Sequence, residues 1–249
     1  MKRLIPFVVL LLVNTFFSSC AGLKPYDTIR VSTDRSVINL LKNKSDLIKS
    51  INAELVLIPS TLTAPSIDSF LSYNSSGLFR LAGLTPNGFT LFDFETQNDH
   101  FTLSLTNRLK ISGDLNEFSN AFKAIAGSEL PVHPDVVMET IDFYGINKDE
   151  DTSFFIEELS GSYILNQLKN DGSISYPVRR WWIDKEDKKI LRKEVFSGNP
   201  DKRGEIIMEA EYRDFRMVDD IWTPYEILIR EGKGKKLLRM KFSKVDYNK

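Results

Sequence analysis

Hydrophobic and polar residues alternate in short segments that recur from residue 51 to residue 245. In the clearest segment, Phe101 to Leu105, three large apolar side chains share one face, and Thr102 and Ser104 share the other. Turn signals such as Pro86-Asn87-Gly88 and Ser160-Gly161 separate these segments. Because period-two alternation is typical of strands with one buried face, the pattern predicts a large antiparallel sheet of roughly ten or eleven strands.

Three other segments have apolar residues at helical spacing. One lies between Asp34 and Ser50, a second follows the capping-box spacing of Asp114 and Glu117, and a third begins at Pro134. These helices do not alternate regularly with the strands, which excludes the pattern of a parallel α/β fold. A sheet with so many strands curls, and helices can fill its concave face. The sequence therefore predicts a mainly β, α+β fold, in which a curled antiparallel sheet forms an unclosed β-barrel capped by about three helices.

The first twenty residues have a different pattern. Lys2 and Arg3 precede an apolar run that reaches Phe17, and small residues then lead to Cys20, the single cysteine of the chain. This order is typical of a secretory signal, and the run is shorter than the roughly 20 apolar residues that a spanning helix needs. A lone cysteine in an exported protein cannot form an internal disulfide, so another role is expected for Cys20.

The residues Phe17-Ser18-Ser19-Cys20 resemble the bacterial lipobox, in which lipoprotein signal peptidase cuts before a diacylated cysteine. The resemblance implies that residues 1–19 are removed and that Cys20 carries the acyl chains of a membrane anchor. Residues 20–33 are then expected to form a tether, and residues 34–249 a single domain. The residue after the cysteine is Ala21 and not Asp, which by resemblance to enterobacterial sorting implies an outer-membrane location facing the periplasm.

Charge and residue spacing argue against several kinds of partner and chemistry. The formal net charge is −1, so a nucleic-acid partner, which requires a basic surface, is not expected. The two histidines, His100 and His133, lack the spacing of metal ligands, and we expect no metal and no cofactor. Asp93 and Glu95 lie two apart on one strand face, where solvent-facing acids are commoner than a catalytic carboxylate pair. We therefore expect that the protein is not an enzyme.

The segment Arg179-Arg180-Trp181-Trp182 allows two interpretations. In the first, the arginines meet anionic lipid headgroups while the tryptophans lie at the membrane interface. In the second, the segment is a strand whose tryptophans are buried. The usual burial of tryptophan favours the second interpretation without excluding the first.

The chain from residue 35 to residue 245 resembles the LolA/LolB superfamily, the lipoprotein carriers and receptors of Gram-negative envelopes. The resemblance is carried by the order of helices and strands, by the segment from Gly77 to Leu105, and by Asp220-Ile221-Trp222-Thr223-Pro224 ahead of a final hairpin. It implies an apolar cavity for acyl chains and a membrane-anchored protein in lipoprotein reception or localisation at the outer membrane. The implied partners are acylated lipoproteins or lipids, a periplasmic carrier protein, and the membrane through the lipid anchor.

Apolar residues on the predicted strand faces are the candidates to line such a cavity. They are Phe101, Leu103, Leu105, Trp181, Ile183, Met208 and Tyr212. The alternative for each is a packed core position that contacts helices instead of ligand, since apolar strand faces are normally core.

In the receptors of this superfamily, the loop that corresponds to Thr85-Pro86-Asn87-Gly88 presents an exposed leucine that passes lipoproteins to the membrane. Asn87 stands at the closest position in this chain, and an asparagine cannot make the same apolar contact. The candidates for a membrane-delivery loop are therefore the neighbouring apolar residues Leu84 and Phe89. Two other functions stay open: an envelope lipoprotein that binds phospholipid or glycolipid, and a structural lipoprotein with protein partners.

Overall fold

The computed structural model describes residues 29–32, 35–60, 65–106, 109–120, 134–146, 151–172, 174–232 and 234–248. The strands within these ranges are β1 (Arg30–Ser32), β2 (Ser50–Pro59), β3 (Ile67–Asn74), β4 (Phe79–Leu84), β5 (Thr90–Gln97), β6 (His100–Leu105), β7 (Lys110–Asp114), β8 (Thr152–Glu158), β9 (Ser162–Asp171), β10 (Ile174–Asp184), β11 (Ile190–Phe196), β12 (Ile206–Val218), β13 (Ile221–Glu231) and β14 (Lys236–Tyr247). The described ranges also contain the helices α1 (Ser36–Leu47) and α2 (Pro134–Ile141), two 3-10 helices, Leu115–Glu117 and Pro200–Lys202, and the α-helical residues 118–120.

All the described strands belong to one antiparallel sheet, in the order β1-β8-β9-β10-β11-β12-β13-β14-β2-β3-β4-β5-β6-β7. A first meander runs from β2 to β7 and a second from β8 to β14, and the pairing of β14 with β2 joins them side by side. Strands β1 and β7 are the two edges, so the sheet is not closed into a barrel. The predicted fold class, a mainly β unclosed barrel, is confirmed.

The sheet curls because its strand register is interrupted at several points. The register shifts at Gly83/Leu84, Pro177/Arg179, Trp182/Ile183, Val195/Phe196, Ile229/Arg230 and Phe242/Lys244. An irregularity of this kind bends its strand and increases the local twist. The inner faces of both meanders therefore surround one hydrophobic core.

The core lies on the concave face of the sheet. Alternate residues of β2 from Ile51 to Leu57 are buried, while Glu54 between them is exposed. Helix α1 adds Val37 and Leu41 to the same core, and Lys44 near its end donates a hydrogen bond to a backbone carbonyl of the β12–β13 turn. Helix α2 is buried through Val137 and Ile141 and packs inside the curl. Each element thus follows the periodicity of its apolar residues.

The number of strands and one helix cap differ from the sequence prediction. The alternation does not predict β1 or β7, because strands of three and five residues at the sheet edges are too short to give a periodic signal. Strand β1 lies within the range 20–33 that was expected to be a tether, and it pairs with β8. Asp114 precedes a 3-10 helix but makes no capping hydrogen bond with its side chain. Its Oδ1 lies 2.8 Å from Nδ1 of His100 instead.

Candidate functional site

An apolar cavity of about 590 Å³ lies inside the sheet, at the end of the first meander where β2 and β6 end and β14 begins. The residues that line it are Leu57, Pro59, Ile67, Phe79, Leu81, Leu91, Phe92, Phe94, Leu103, Leu105, Thr106, Phe118, Pro134, Val137, Leu237 and Leu238. Thr106 is the single polar residue among these sixteen described residues. The volume lies within the range of small-molecule pockets, about 300–1,000 Å³.

A glycine on β4 shapes one wall of this cavity. Gly83 pairs with Phe92 of β5, and a Cβ atom built on Gly83 would lie 2.3 Å from Cε1 of the Phe92 ring. The ring therefore lies against the bare backbone of β4, a close approach that a glycine within a strand permits. The missing side chain at position 83 thus places the Phe92 ring along the cavity wall.

Four phenylalanines form an aromatic cluster at the cavity. The ring centroid of Phe118 lies 5.2 Å from that of Phe94 and 4.8 Å from that of Phe101, in edge-to-face arrangements. The rings of Phe79 and Phe94 are 6.1 Å apart. These are favourable geometries for aromatic pairs. Phe101 supports the two neighbouring rings but is not itself among the lining residues.

Helix α2 separates the cavity from the rest of the core. Pro134 and Val137 face the cavity, whereas Glu139 binds strands β10 and β11. Oε1 of Glu139 lies 2.5 Å from Nε of Arg179 and 2.7 Å from Nζ of Lys193. A second hydrogen bond joins Nη2 of Arg179 to Oε2 of Glu139 at 3.0 Å, so the arginine contact is bidentate. The helix is therefore fixed to the sheet through one carboxylate and two cations.

The lysine of this anchor lies out of water, whereas the side chains of Glu139 and Arg179 are 24% and 20% exposed. Lys193 has no exposed surface, and its Nζ also donates to the backbone carbonyl oxygens of Glu139 and Asp142, at 2.8 and 2.9 Å. Burial raises the pKa of Glu139, but the charges and hydrogen bonds of Lys193 and Arg179 outweigh it and lower that pKa to about 2. Burial raises the pKa of Asp142, which lacks an equally close cation. Glu139 is therefore ionised at neutral pH and holds α2 in place.

Four of the seven predicted lining residues lie on the far side of α2. Trp181, Ile183, Met208 and Tyr212 are each at most 3% exposed. The indole nitrogen of Trp181 donates to the backbone carbonyl oxygen of Phe143 at 3.2 Å. The hydroxyl of Tyr212 donates to the backbone carbonyl oxygen of Thr140 at 3.1 Å. The hydroxyl of Thr140 lies 3.8 Å from the sulfur of Met208. Trp181, Met208 and Tyr212 thus contact α2 or the turn after it, and Ile183 is fully buried in the same core, so the surroundings of all four are those of packed core.

The turn between β4 and β5 lies at the mouth of the cavity. Gly88 has a φ of +81°, which favours glycine, and the N–H of Phe89 donates to the hydroxyl of Thr85 at 3.1 Å. Phe89 is 68% exposed, and Leu91 next to it is 37% exposed while also lining the cavity. Leu84 is half-buried at the end of β4. Of the two candidates for a delivery loop, Phe89 is the one that presents its side chain to solvent.

Other residues considered from the sequence form structural contacts. Asp93 lies on the outer face of the sheet, and its Oδ2 is 2.6 Å from Nη2 of Arg80. His100 is exposed beside Asp114. In the segment 179–182, Trp181 is buried and Nε of Arg180 donates to Oδ1 of Asn166 at 2.6 Å. This arrangement agrees with the interpretation of that segment as a strand with a buried tryptophan.

Some candidates cannot be placed. Cys20, His133 and residues 20–28 of the expected tether lie outside the described residues. In the part of the chain that is described, no three His, Cys, Asp or Glu side chains are grouped to hold a metal ion. The helices in the described part of the chain are all too short or too polar to span a bilayer.

Most of the cavity lining was absent from the sequence candidates. Leu103 and Leu105 are the two candidates that line it, while Phe92, Phe94, Phe118 and Val137 were not singled out. The signal for Phe92 and Phe94 was the period-two alternation of β5, which is the same for a cavity wall and for packed core. The signal for Phe118 was its place after the capping-box residues, which marks a helix start but not its position in the fold.

The fold is shared with solved structures of low sequence identity. A domain from Vibrio parahaemolyticus assigned to outer membrane lipoprotein sorting matches with a TM-score of 0.58 and 15% identity, over 86% of this chain and 91% of that chain. A LolA superfamily protein from Nitrosomonas europaea matches with a TM-score of 0.54 and 11% identity, over 86% and 94%. The chain has a LolA/LolB-like fold.

Further comparisons agree with the LolA/LolB-like fold without adding a function. A DUF1329 family protein from Desulfovibrio piger matches with a TM-score of 0.55 and 13% identity, over 86% of this chain and 92% of that chain. A family model described as "-like: Uncharacterized protein" matches residues 136–249. No curated protein matches the sequence. At these identities the likeness establishes the LolA/LolB-like fold, and the function has to be argued from the cavity itself.

Proposed function

We propose that this protein binds acyl chains in the cavity between the first meander and α2. The observation that carries this function is that the described residues around about 590 Å³ are fifteen apolar residues and one threonine. Transfer of an acyl chain from water to such a site is favourable by about 0.8 kcal/mol per methylene. Because these described residues provide almost no hydrogen-bonding partners, a polar ligand would lose its water contacts to them without replacement. A hydrocarbon chain is therefore the chemistry that fits.

The proposed function includes a membrane anchor and a location. Cleavage before Cys20 and acylation of that residue attach the protein to the outer membrane, where its folded domain faces the periplasm. In this position the protein takes part in lipoprotein reception or localisation, with acylated lipoproteins from a periplasmic carrier as its ligands. The resemblance of residues 17–20 to a lipobox supports the anchor. The fold shared with the Vibrio parahaemolyticus domain supports the role in sorting.

The turn from Thr85 to Phe89 is the part of the folded domain that reaches the membrane. Phe89 exposes most of its ring two residues before Leu91, which lines the cavity. An aromatic ring is stable at the boundary between water and lipid. Insertion of Phe89 at that boundary brings the cavity mouth to the bilayer, so that an acyl chain passes between them with little exposure to water.

A transfer assay tests this function. Mature protein carrying Cys20→Ala is mixed with a complex of a periplasmic carrier and an acylated lipoprotein, and native mass spectrometry measures the mass that it gains. Capture of the intact lipoprotein is the expected result. Capture of free lipid alone would replace lipoprotein reception with phospholipid or glycolipid binding. If neither is captured, the apolar cavity has no acyl ligand and the proposed function is contradicted.

Two variants identify the cavity as the site of capture. Leu105→Trp fills the cavity from a half-buried lining position and is expected to abolish capture. Phe70→Trp adds the same ring on the outer face, where Phe70 is 50% exposed, and is expected to leave capture unchanged. Circular dichroism and thermal melting establish that both variants are folded.

A further inference from the structure

We infer that Leu91 covers the mouth of the cavity and that Thr106 is the residue that positions it there. The inference rests on the proposed function, because it concerns how an acyl chain enters and leaves the same cavity. Leu91 touches the chain, whereas Thr106 acts on the chain through Leu91. Three observations support these roles: the exposure of the lining residues, the irregular register of β5, and the hydrogen bonds of Thr106.

The mouth lies at Leu91 and Thr106. These are the two exposed residues among the sixteen described lining residues, and the others are buried or half-buried. They lie beside each other on neighbouring strands, next to the pair of Phe92 with Leu105. Leu91 is 37% exposed and has the larger apolar side chain of the two. It is therefore the residue that can cover the methylenes of a bound chain closest to the solvent.

Leu91 faces the cavity because the register between β4 and β5 is irregular at this point. Gly83 of β4 pairs with Phe92 of β5. The next residue of β4, Leu84, pairs with Thr90, so Leu91 is an extra residue in β5. Successive residues of a regular strand point to opposite faces, yet Leu91 and Phe92 both line the cavity. In a regular register Leu91 would pair with Leu84, and its side chain would lie on the outer face of the sheet.

Thr106 holds this irregular register through hydrogen bonds to the backbone of β5. Its N–H donates to the carbonyl oxygen of Leu91 at 3.1 Å. Its hydroxyl oxygen lies 2.8 Å from the same carbonyl oxygen and 3.0 Å from that of Thr90, so its one proton is shared between two acceptors. Successive carbonyls of a regular strand point to opposite neighbours, so one hydroxyl reaches both only where the strand is irregular. The hydroxyl therefore stabilises the conformation that turns Leu91 into the mouth.

This cover should affect the rate at which a chain leaves the cavity. Each methylene that Leu91 shields from water contributes up to about fourfold to the affinity. Without the cover, the part of the chain at the mouth is already in contact with water, and less apolar contact has to be broken before the chain leaves. The inner wall around Leu103 and Val137 is unchanged, so binding itself persists.

The exit rate of a fatty acid tests both roles. Mature protein carrying Cys20→Ala is loaded with the fluorescent fatty acid cis-parinaric acid and mixed by stopped flow with excess phosphatidylcholine vesicles that contain a quenching lipid. Leu91→Ala is expected to raise the exit rate about three- to tenfold, because one or two methylenes lose their cover. Thr106→Val, which lacks the hydroxyl at nearly the same size, is expected to raise it by a similar factor of about three to ten.

Two further variants show that the hydroxyl at the mouth is responsible. Thr106→Ser keeps the hydroxyl and is expected to stay within about twofold of the unmodified rate. Thr102→Val makes the same change on the outer face of β6, between the buried residues Phe101 and Leu103, and should also stay within about twofold. Circular dichroism and thermal melting establish that each variant is folded. Thr106→Ala replaces Thr106→Val if the valine variant does not fold.

A double variant tests whether Thr106 acts through Leu91. In the presence of Leu91→Ala, Thr106→Val is expected to change the exit rate by less than about twofold, because the side chain that it positions is absent. If the two effects multiply in full, Thr106 acts independently of Leu91 and the positioning role is overturned. An exit rate that rises in Leu91→Ala but not in Thr106→Val overturns the same role.

Other outcomes separate this inference from the proposed function. If the unmodified protein binds cis-parinaric acid but releases it at the same rate as Leu91→Ala, the chain does not pass under Leu91, and the inference is overturned while acyl-chain binding stands. If the unmodified protein does not bind the fatty acid, the proposed function is contradicted together with the inference.

Discussion

Nζ of Lys193 lies 2.7 Å from Oε1 of Glu139, in a place where Lys193 has no contact with solvent. This pair joins β11 to α2 and thereby holds the helix over one part of the concave face of the sheet. Strands β10 to β12 receive the helix and become packed core. The inner faces of β2 to β6 do not receive it on that side, and the cavity remains between them and the helix.

Loss of the Glu139 carboxylate is expected to destabilise the fold. Glu139→Gln removes the carboxylate that contacts both Lys193 and Arg179, and breaking a largely buried pair in this way costs about 3–5 kcal/mol of unfolding free energy. Urea denaturation measures the change. The control is Asp93→Asn, which breaks the pair of Asp93 (28% exposed) with Arg80 (51% exposed). There we expect a loss of about 1 kcal/mol or less of unfolding free energy. Equal effects at the two sites would contradict the anchoring role.

The same stabilisation should depend on pH. The folded pKa of Glu139 is about 2, below its ordinary value of 4.5, so the ionised form stabilises the fold above about pH 4.5 and this contribution is lost as pH falls towards 2. The difference in unfolding free energy between the unmodified protein and Glu139→Gln should therefore become smaller as the pH falls from about 4.5 towards 2. Both proteins carry Asp142→Asn, because burial raises the pKa of Asp142 and its titration acts in the opposite direction. A difference that stays constant down to pH 3 would count against the pair.

Gly83→Ala is expected to disturb the cavity wall. The new methyl group would lie 2.3 Å from the Phe92 ring, so the ring must move into the cavity. We expect a loss of about 1–3 kcal/mol in stability from overpacking, with weaker fatty-acid binding. The control is Gly113→Ala, where the nearest atom, Cε1 of Phe101, is 3.4 Å away and a small effect is expected. If both variants bind palmitate normally, Phe92 does not shape the binding site.

Phe89→Glu is expected to block delivery of lipid to a membrane while leaving the fold intact. A charge at a side chain that is 68% exposed should change stability by less than about 0.5 kcal/mol, but it opposes entry into the bilayer interface. Transfer of labelled lipid to vesicles measures delivery. Met217→Glu, at a side chain that is 52% exposed near the opposite end of the sheet, is the matched control. Normal transfer by Phe89→Glu would exclude this turn as the delivery loop.

Cys20→Ser should abolish incorporation of radiolabelled palmitate and release the protein from the membrane fraction, since serine has no thiol to acylate. Ser19→Ala keeps a small residue before the cleavage site and should be labelled normally. Labelling of Cys20→Ser at the level of the unmodified protein would contradict the anchor.

Much of the fold could be predicted from period-two alternation and turn signals. Strand β6 has the alternation of Phe101 to Leu105, and α2 begins at Pro134, where the sequence predicts a helix start. The division of the apolar face into cavity and core could not be predicted in this way. Leu103 on β6 and Met208 on β12 have the same alternation, yet one lines the cavity and the other lies under α2.

The reason is that the position of α2 depends on contacts between residues far apart in the sequence. Lys193 is separated from Glu139 by 54 residues, and its place in β11 resembles that of any charged residue on an exposed strand face. A lysine is almost never fully buried unless it is paired, so the neighbouring residues in the sequence predict an exposed side chain at position 193. The position of α2 therefore follows from the pairing of Lys193 with Glu139 in the folded protein, which the hydrophobic pattern of the sequence does not predict.

The most direct test of the central claim locates the bound chain. The full-length protein is loaded with a palmitate analogue that carries a diazirine near the end of its chain, irradiated, and digested for peptide mapping. An acyl chain in the cavity should crosslink to peptides that contain Leu103, Phe118 or Val137, and Leu105→Trp should remove these products. Crosslinks to the outer face around Phe70, or products that persist in Leu105→Trp, would contradict acyl-chain binding in this cavity.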